Sequence, residues 1–373
     1  MTNIGRTVHV IKPTFENPRN TEGAFTLLND GTIMYAYSRF VGGANDFSSS
    51  DLYAIYSHDE GETWGEERVL YRKNPDDINI MSISFLRMND GALGMFFLRK
   101  YQDEKGANCI VNLIRSYDEG ITWSEPKRCI DADGYYCLVN DRVTRLKSGR
   151  VMFAVSTHPI DDTRNTVHIY ISDDDCETLR EAKERVKLPF SHKVAGMQEP
   201  GIMELDDGRL WLWARTGHGY QFETYSEDGG DTWGDVNPNE FFTSPNSPMN
   251  VKRIQDGRML AIFNPVPVYN TRVLVETDDD LKKNPRHNLY FEESVYIGRT
   301  PLICAVSRGT PKEFDMKVKF LEDNPDIGFC YPAILARNDY VLIAYFTLDY
   351  NYGYETDIKM KGIIIKKVML SEF

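Results

Sequence analysis

An all-β fold, specifically a six-bladed β-propeller, is what this sequence predicts. The prediction rests on two repeats that run in step and on the near-absence of helical patterning. The first repeat is an octapeptide: Ser57-His58-Asp59-Glu60-Gly61-Glu62-Thr63-Trp64 returns as Ser116–Trp123 and as Ser226–Trp233. A worn copy, Ser172–Leu179, keeps Ser, Asp and Thr, and a ghost from Ser307 to Phe314 keeps the first residue and an aromatic eighth. The copies start roughly 55–60 residues apart, with one longer step of roughly 80 before the ghost. Units of that size cannot each bury a core, so they must stack or close into a ring. The box itself has the chemistry of a tight turn. Ser and Asp can bond nearby N–H groups, Gly supplies an unusual dihedral, and Trp plugs a neighbouring layer.

The second repeat is strand, polar turn, strand. Thr26–Tyr35 turns at Asp30-Gly31, and equivalent turns lie at Asn89-Asp90-Gly91, Lys147-Ser148-Gly149, Asp206-Asp207-Gly208, Gln255-Asp256-Gly257 and Arg337-Asn338-Asp339-Tyr340. Asp-Gly between β-rich runs is a strong hairpin signal. Each hairpin is followed by a further strand and mostly by a box, which makes six four-stranded blades. The strand-like segments Thr7–Pro13 and Gly362–Leu370 are expected to meet and close the ring. Cys176–Val186 is the one modest helical candidate. The whole chain, 1–373, reads as one domain with a polar insertion in blade five around 266–296, either a lid or interface or a solvated excursion.

The formal net charge of −13 argues against nucleic acid or an anionic membrane as partner. No apolar run approaches membrane-spanning length. Met1–Thr7 shows neither a basic n-region nor an apolar h-region, and the six cysteines are scattered without Cys-x-x-Cys or a Cys/His cluster. These features lead us to expect a cytoplasmic protein with reduced thiols, no metal and no cofactor. Oligomeric state is left open.

The hairpins also say where chemistry should collect. Counting nine residues back from each turn gives Glu22, Ser82, Asn140, Glu199, Pro248 and Tyr331. Counting seven to nine forward gives Arg39, Arg99, His158, Arg215 and Asn264. Charged side chains on innermost strands are costly without partner or ligand, and six blades would gather them around one axis. The rim is therefore the candidate site. The plainer reading is that Arg and Glu of adjacent blades merely pair.

Several of these segments carry a resemblance. Arg39-Phe40-Val41-Gly42-Gly43-Ala44-Asn45-Asp46, Gln198-Glu199-Pro200-Gly201, Trp213-Ala214-Arg215-Thr216, Arg299-Thr300-Pro301-Leu302 and Phe329-Cys330-Tyr331-Pro332, with the boxes, resemble the sialidase (neuraminidase) superfamily over almost the whole chain. The resemblance implies a retaining glycoside hydrolase acting on a terminal sugar. In it Tyr331 is the nucleophile, Glu199 its activator and Asp46 the acid/base, while Arg39, Arg215 and Arg299 are substrate ligands. A neutral Tyr nucleophile avoids repulsion from a sugar carboxylate, an Asp on the other face protonates the leaving oxygen, and guanidiniums grip the carboxylate. The chain departs from the pattern in its first blade. Asn20-Thr21-Glu22-Gly23 stands where sialidases carry Arg-Ile-Pro, and no late Glu corresponds to the one that steadies that arginine. Glu22 would repel a sugar carboxylate and hold hydroxyls instead. Arg142 and His158 are candidate replacement ligands, although His158 reads equally well as a structural histidine. Two alternatives stay open: a non-catalytic glycan- or protein-binding propeller, and a glycosidase of the same fold for a non-sialic sugar, as in exo-acting arabinan hydrolases.

Overall fold

The computed structural model describes residues 3–157, 165–189, 196–265, 299–315, 317–349 and 360–373. Six antiparallel sheets form the blades of a β-propeller. Blade one runs Arg19–Leu27, Ile33–Val41, Ser49–Ser57 and Arg68–Tyr71 from axis to rim. Blade two repeats the pattern with Asp77–Arg87, Leu93–Asp103, Gly106–Ser116 and Lys127–Arg128. Blade four uses Gln198–Glu204, Leu210–Arg215, Tyr220–Ser226 and Asn237–Thr243, and blade five Asn250–Arg253, Met259–Phe263, Leu302–Ser307 and Lys319–Glu322. In blade three the inner strand is split into Tyr136–Cys137 and Thr144–Arg145, which pair with opposite ends of Val151–Thr157. Blade six comprises Ile327–Ala336, Tyr340–Asp349 and Met360–Met369, and its outermost strand is Arg6–Ile11 from the other end of the chain. The expected meeting of the two terminal segments is therefore observed, with Arg6 opposite Lys367 and Ile11 opposite Ile363.

The second strand of each blade is nearly all buried, as in Leu210–Arg215 and Met259–Phe263, because sheets cover both its faces. Side chains from adjacent blades merge into shared clusters. One joins Met34, Ala54 and Leu70 of blade one to Leu93, Met95 and Ile114 of blade two. The boxes supply the wedges. In the first copy Asp59 Oδ1 accepts from Ser57 Oγ and Thr63 N (2.8 Å each), Oδ2 accepts from Thr63 Oγ1 (2.6 Å), and Ser57 Oγ accepts from Gly61 N (2.8 Å). The worn copy at Asp174 keeps the same four bonds, so its lost Gly and Trp did not dismantle the turn. Gly61 has a second reason to be glycine besides its φ of 83°: a Cβ there would lie 2.7 Å from Leu342 of blade six. Gly230 likewise faces Met152 of blade three. Each of these boxes thus presses on the preceding blade.

Cys176–Val186 is not helical. Asp175 and Cys176 hold positive φ as part of the worn box, and Arg180–Glu181 forms a short edge strand against Tyr170 and Ile171. The insertion expected around 266–296 lies outside the described residues.

Two outcomes follow from the boxes. Hydrogen bonds from Thr63, Thr122 and Thr178 hold Asp59, Asp118 and Asp174 down to about 2. For Asp228 the bonds from Thr232 and Ser226 outweigh burial and also leave it at about 2. Their stabilisation is complete above the unfolded carboxylate value of about 4 and is lost as pH falls toward about 2. Urea melts across that window should show stability falling with acid, and Asp118→Asn should flatten the slope. Trp123→Ala, which removes a half-buried plug between blades one and two, should lower stability by about 2 kcal/mol in the same melts, below the ~3–5 kcal/mol of a fully buried aromatic.

Candidate active site at the axial rim

The side chains of the site are aimed by a backbone device. Inner-strand pairing slips between Thr21 and Ala24, Met81 and Ser84, Gln198 and Gly201, and Cys330 and Ala333. Within each slip sits a non-glycine residue in left-handed conformation: Glu22 (φ 53°), Ser82 (58°), Glu199 (49°) and Tyr331 (54°). Blade three has Asp141 (φ 60°), one residue past the counted Asn140, because its inner strand is broken there. Each such residue costs on the order of 1–2 kcal/mol, and a bulge re-aims its side chain out of the pleat. Pro248 precedes the inner strand of blade five and carries no such turn.

Tyr331 and Glu199 meet across the axis. The phenol donates to Glu199 Oε1 at 2.9 Å. Glu199 Oε2 lies 2.8 Å from Arg215 Nη1, while Arg215 Nε and Nη2 donate to Gln198 Oε1 at 3.1 and 3.0 Å. Arg299 places its guanidinium 5.6 Å from the Tyr331 ring centroid and donates to Asn246 O and Cys330 Sγ. Burial, then the Glu199 charge, pushes the Tyr331 phenol well above its ordinary value, with Arg215 and Arg299 opposing. The resting Tyr331 is therefore a neutral phenol that donates to the Glu199 side chain.

Asp46 stands on the loop after Ile33–Val41. Its main-chain carbonyl accepts from Lys100 Nζ (2.7 Å) and Asn79 Nδ2 (2.9 Å), so blade two holds the loop. Arg19 lies between two carboxylates, with Nη1 2.6 Å from Asp46 Oδ1 and Nη2 3.1 Å from Glu22 Oε1, and its guanidinium is 4.4 Å from the Phe40 ring centroid. Ser82 Oγ donates to the other Glu22 oxygen. Burial raises Glu22 despite Arg19, whereas for Asp46 the Arg19 charge and hydrogen bond overcome burial and hold it below the usual carboxylate range. Glu22, Asp46, Lys100, Tyr135, Glu199 and Tyr331 line one pocket of about 80 Å³.

The structure thus brings together Glu22, Asp46, Glu199 and Tyr331, with Arg215 and Arg299 against the last two. Three expectations change. Arg39 does not line the pocket, because the Glu67 carboxylate at 3.0 Å and the face of the Tyr53 ring hold its guanidinium. Arg142 does not line that pocket either. The break in blade three sends it across Trp213 to donate to Met249 O, in a second cavity of about 350 Å³ that it shares with Arg145, Lys147, Lys252 and Arg253. The first blade does supply a guanidinium, Arg19, from three residues before Glu22. His158 lies outside the described residues. Simple inter-blade or intra-blade pairing accounts for Arg99, which holds Asp77 at 2.7 Å. Besides Arg19, the sequence reading missed Lys100, Asn79 and Asp141. Asp141 ties three blades together through Lys252 Nζ (2.9 Å), Asn250 Nδ2 (2.9 Å) and Ile334 N (3.1 Å). The opposite charges three residues apart in Arg19-Asn20-Thr21-Glu22 were the available signal for Arg19. A fixed count from the turn passes over it.

Residues 43–343 match the family described as BNR repeat-like domain. No curated protein matches the chain. Among solved structures, a protein of unknown function from Dyadobacter fermentans superposes with a TM-score of 0.70 at 18% identity, covering 98% of this chain and 99% of that one. The NanB sialidase of Streptococcus pneumoniae gives 0.69 at 13% identity, over 100% of this chain and 72% of its own. The leech intramolecular trans-sialidase, complexed with 2,7-anhydro-Neu5Ac, gives 0.70 at 13%, over 100% and 71%. At these identities the likeness is one of fold.

The Tyr331–Glu199 contact has a direct readout. In Glu199→Gln the phenol loses the charge that helps to raise it, so its pKa should fall. Titration of ¹³C-ζ-labelled tyrosine by NMR, with Tyr331→Phe to assign the resonance, measures the shift. An unchanged Tyr331 resonance would mean that the two groups do not touch in solution.

Proposed function

The chain belongs to the BNR repeat-like domain family, and from that premise we propose that it is a glycoside hydrolase of the sialidase fold acting on a terminal sugar. The observation that carries this reading is the 2.9 Å hydrogen bond from Tyr331 to Glu199, in the pocket that Asp46 also lines. A phenol is a poor nucleophile until its proton is drawn off, and Glu199 is placed to take it. The Tyr331 oxygen attacks the anomeric carbon as Asp46 gives a proton to the departing oxygen. Asp46 then takes a proton from a water that attacks the anomeric carbon; the Tyr331–sugar bond breaks, Glu199 returns its proton to the phenol oxygen, and the sugar leaves with retained configuration. Arg215 holds the Glu199 carboxyl group in a fixed orientation. Arg19 does the same for Asp46, which must recover a proton before the first step.

One observation favours the non-catalytic reading. The Asp46–Arg19 ion pair at 2.6 Å engages the group that would serve as acid. The two readings separate in one experiment. A panel of chromogenic terminal glycosides should include a substrate for the wild-type protein, with Tyr331→Phe, Glu199→Gln and Asp46→Asn each lowering kcat/KM by about 100- to 10,000-fold. A 2-fluoro activated glycoside should label Tyr331 by mass. Glycan binding without turnover or labelling would establish the binding module instead. For a substrate with a poor leaving group, kcat/KM should fall as pH rises from acid toward neutrality, because Arg19 holds Asp46 low. In Arg19→Gln that descending limb should move to higher pH.

A further inference from the structure

We infer that the sugar this pocket takes is uncharged, and that Glu22 is the residue that makes it so. This rests on the reading of the cavity as a sugar site. The residues lining the pocket include three carboxylates, Glu22, Asp46 and Glu199, and one cation, Lys100. The Lys100 ammonium is already engaged: it is buried, donates to Asp46 O at 2.7 Å and sits between the Phe47 and Tyr135 rings.

The guanidiniums stand behind these carboxylates and are engaged by them or by neighbouring acceptors. Arg19 places one Nη on Asp46 and the other on Glu22. Arg215 directs Nη1 to Glu199 and its other two nitrogens to Gln198. Arg299 donates to Cys330 Sγ and Asn246 O. An entering carboxylate would therefore face oxygen acceptors first, and would have to displace a protein carboxylate to reach Arg19 or Arg215.

In the first blade the displacement has in effect been made in advance. Glu22 is nearly fully buried, held in its left-handed turn, clamped by Arg19 and bonded by Ser82. The protein's own carboxylate occupies the guanidinium that a ligand carboxylate would need. What such a corner offers a ligand is acceptor oxygen, which matches the hydroxyl donors of a neutral sugar. The other wall is apolar, with Met81, Leu98, Cys109, Leu138 and Val139, and suits the C–H face of a ring.

The test uses the full chain carrying Tyr331→Phe, which removes the nucleophile, on an array of neutral and sialic-acid-terminated glycans. Binding to neutral termini, at least about 100-fold tighter than to sialylated ones, is expected. A preference for sialylated termini, or no binding to any glycan, would overturn the inference. Adding Glu22→Gln should weaken neutral binding and raise sialoside binding at least about tenfold. An unchanged preference would remove Glu22 from the argument. If that variant does not fold, Ser82→Ala reads the same corner and should weaken neutral binding alone. The wild-type protein separates the two levels of reading. Efficient cleavage of 4-methylumbelliferyl N-acetylneuraminate would sink the neutral-sugar inference and leave the hydrolase standing. Neutral binding without cleavage of any glycoside would do the reverse.

Discussion

A left-handed residue in the inner strand of blades one, two, four and six, and at the break in that of blade three, is the constraint on which the site depends. A bulge of this kind frees backbone groups that a continuous ladder would have paired, and buried polar groups must find partners. Here the partners come from neighbouring and facing blades. Ser82 N donates to Ser38 Oγ, Asp141 N to Ile83 O, Arg142 N to Ser84 Oγ, Asn140 Nδ2 to Gly23 O and Asn250 Nδ2 to Pro332 O. The strain in one blade is thus accommodated only when the others are in place. Local conformational cost and ring closure are parts of a single arrangement, which is how a propeller holds residues as distant in sequence as Glu22, Glu199 and Tyr331 in register.

Charge then refines what the backbone has aimed. Arg19, Arg215, Glu22 and Glu199 are buried or nearly so, and bringing such groups out of water costs roughly as much as their attraction returns. Their value lies in orientation. Arg215 fixes one oxygen of Glu199 and leaves the other for the phenol. Arg19 separates the behaviour of two nearby carboxylates, lowering Asp46 while Glu22 stays raised by burial. Environments that push like groups apart are a common mark of acid–base sites, although structural networks produce the same effect.

The blade count, the hairpins and the boxes were legible because they recur, and repetition averages away the ambiguity of any single turn. The rim count reached the bulge at Glu22, Ser82, Glu199 and Tyr331 because the distance from the hairpin turn to the bulge is the same in these four blades, whose inner strands are continuous. It slipped by one at Asn140, where that strand is split. Arg39 was misplaced for a related reason: a count fixes height along a strand but not the direction of a long, flexible side chain. Arg142, named as a replacement ligand and not by the count, is turned away by the break in blade three. Arg19 and Lys100 were missed because they act from beyond the bulge or from the second strand. The helical reading of Cys176–Val186 failed because a short polar stretch was weighed by pattern while the worn box before it had already committed the backbone to a turn.

The pairing of Arg6–Ile11 with Met360–Met369 has a consequence for when this protein acquires its site. Tyr331 stands on the innermost strand of the blade whose outermost strand is made before any other strand of the ring. During synthesis, blades one to four can each gain their neighbours in turn, yet the early strand has nothing to pair with until the final one emerges. Contacts this far apart in sequence form slowly. Until they do, the first strand offers an open edge and the phenol has no fixed place opposite Glu199. The pocket is therefore complete only once the last strand is in place, and a chain still lacking it would carry nearly all of the repeats without the wall that Tyr331 provides.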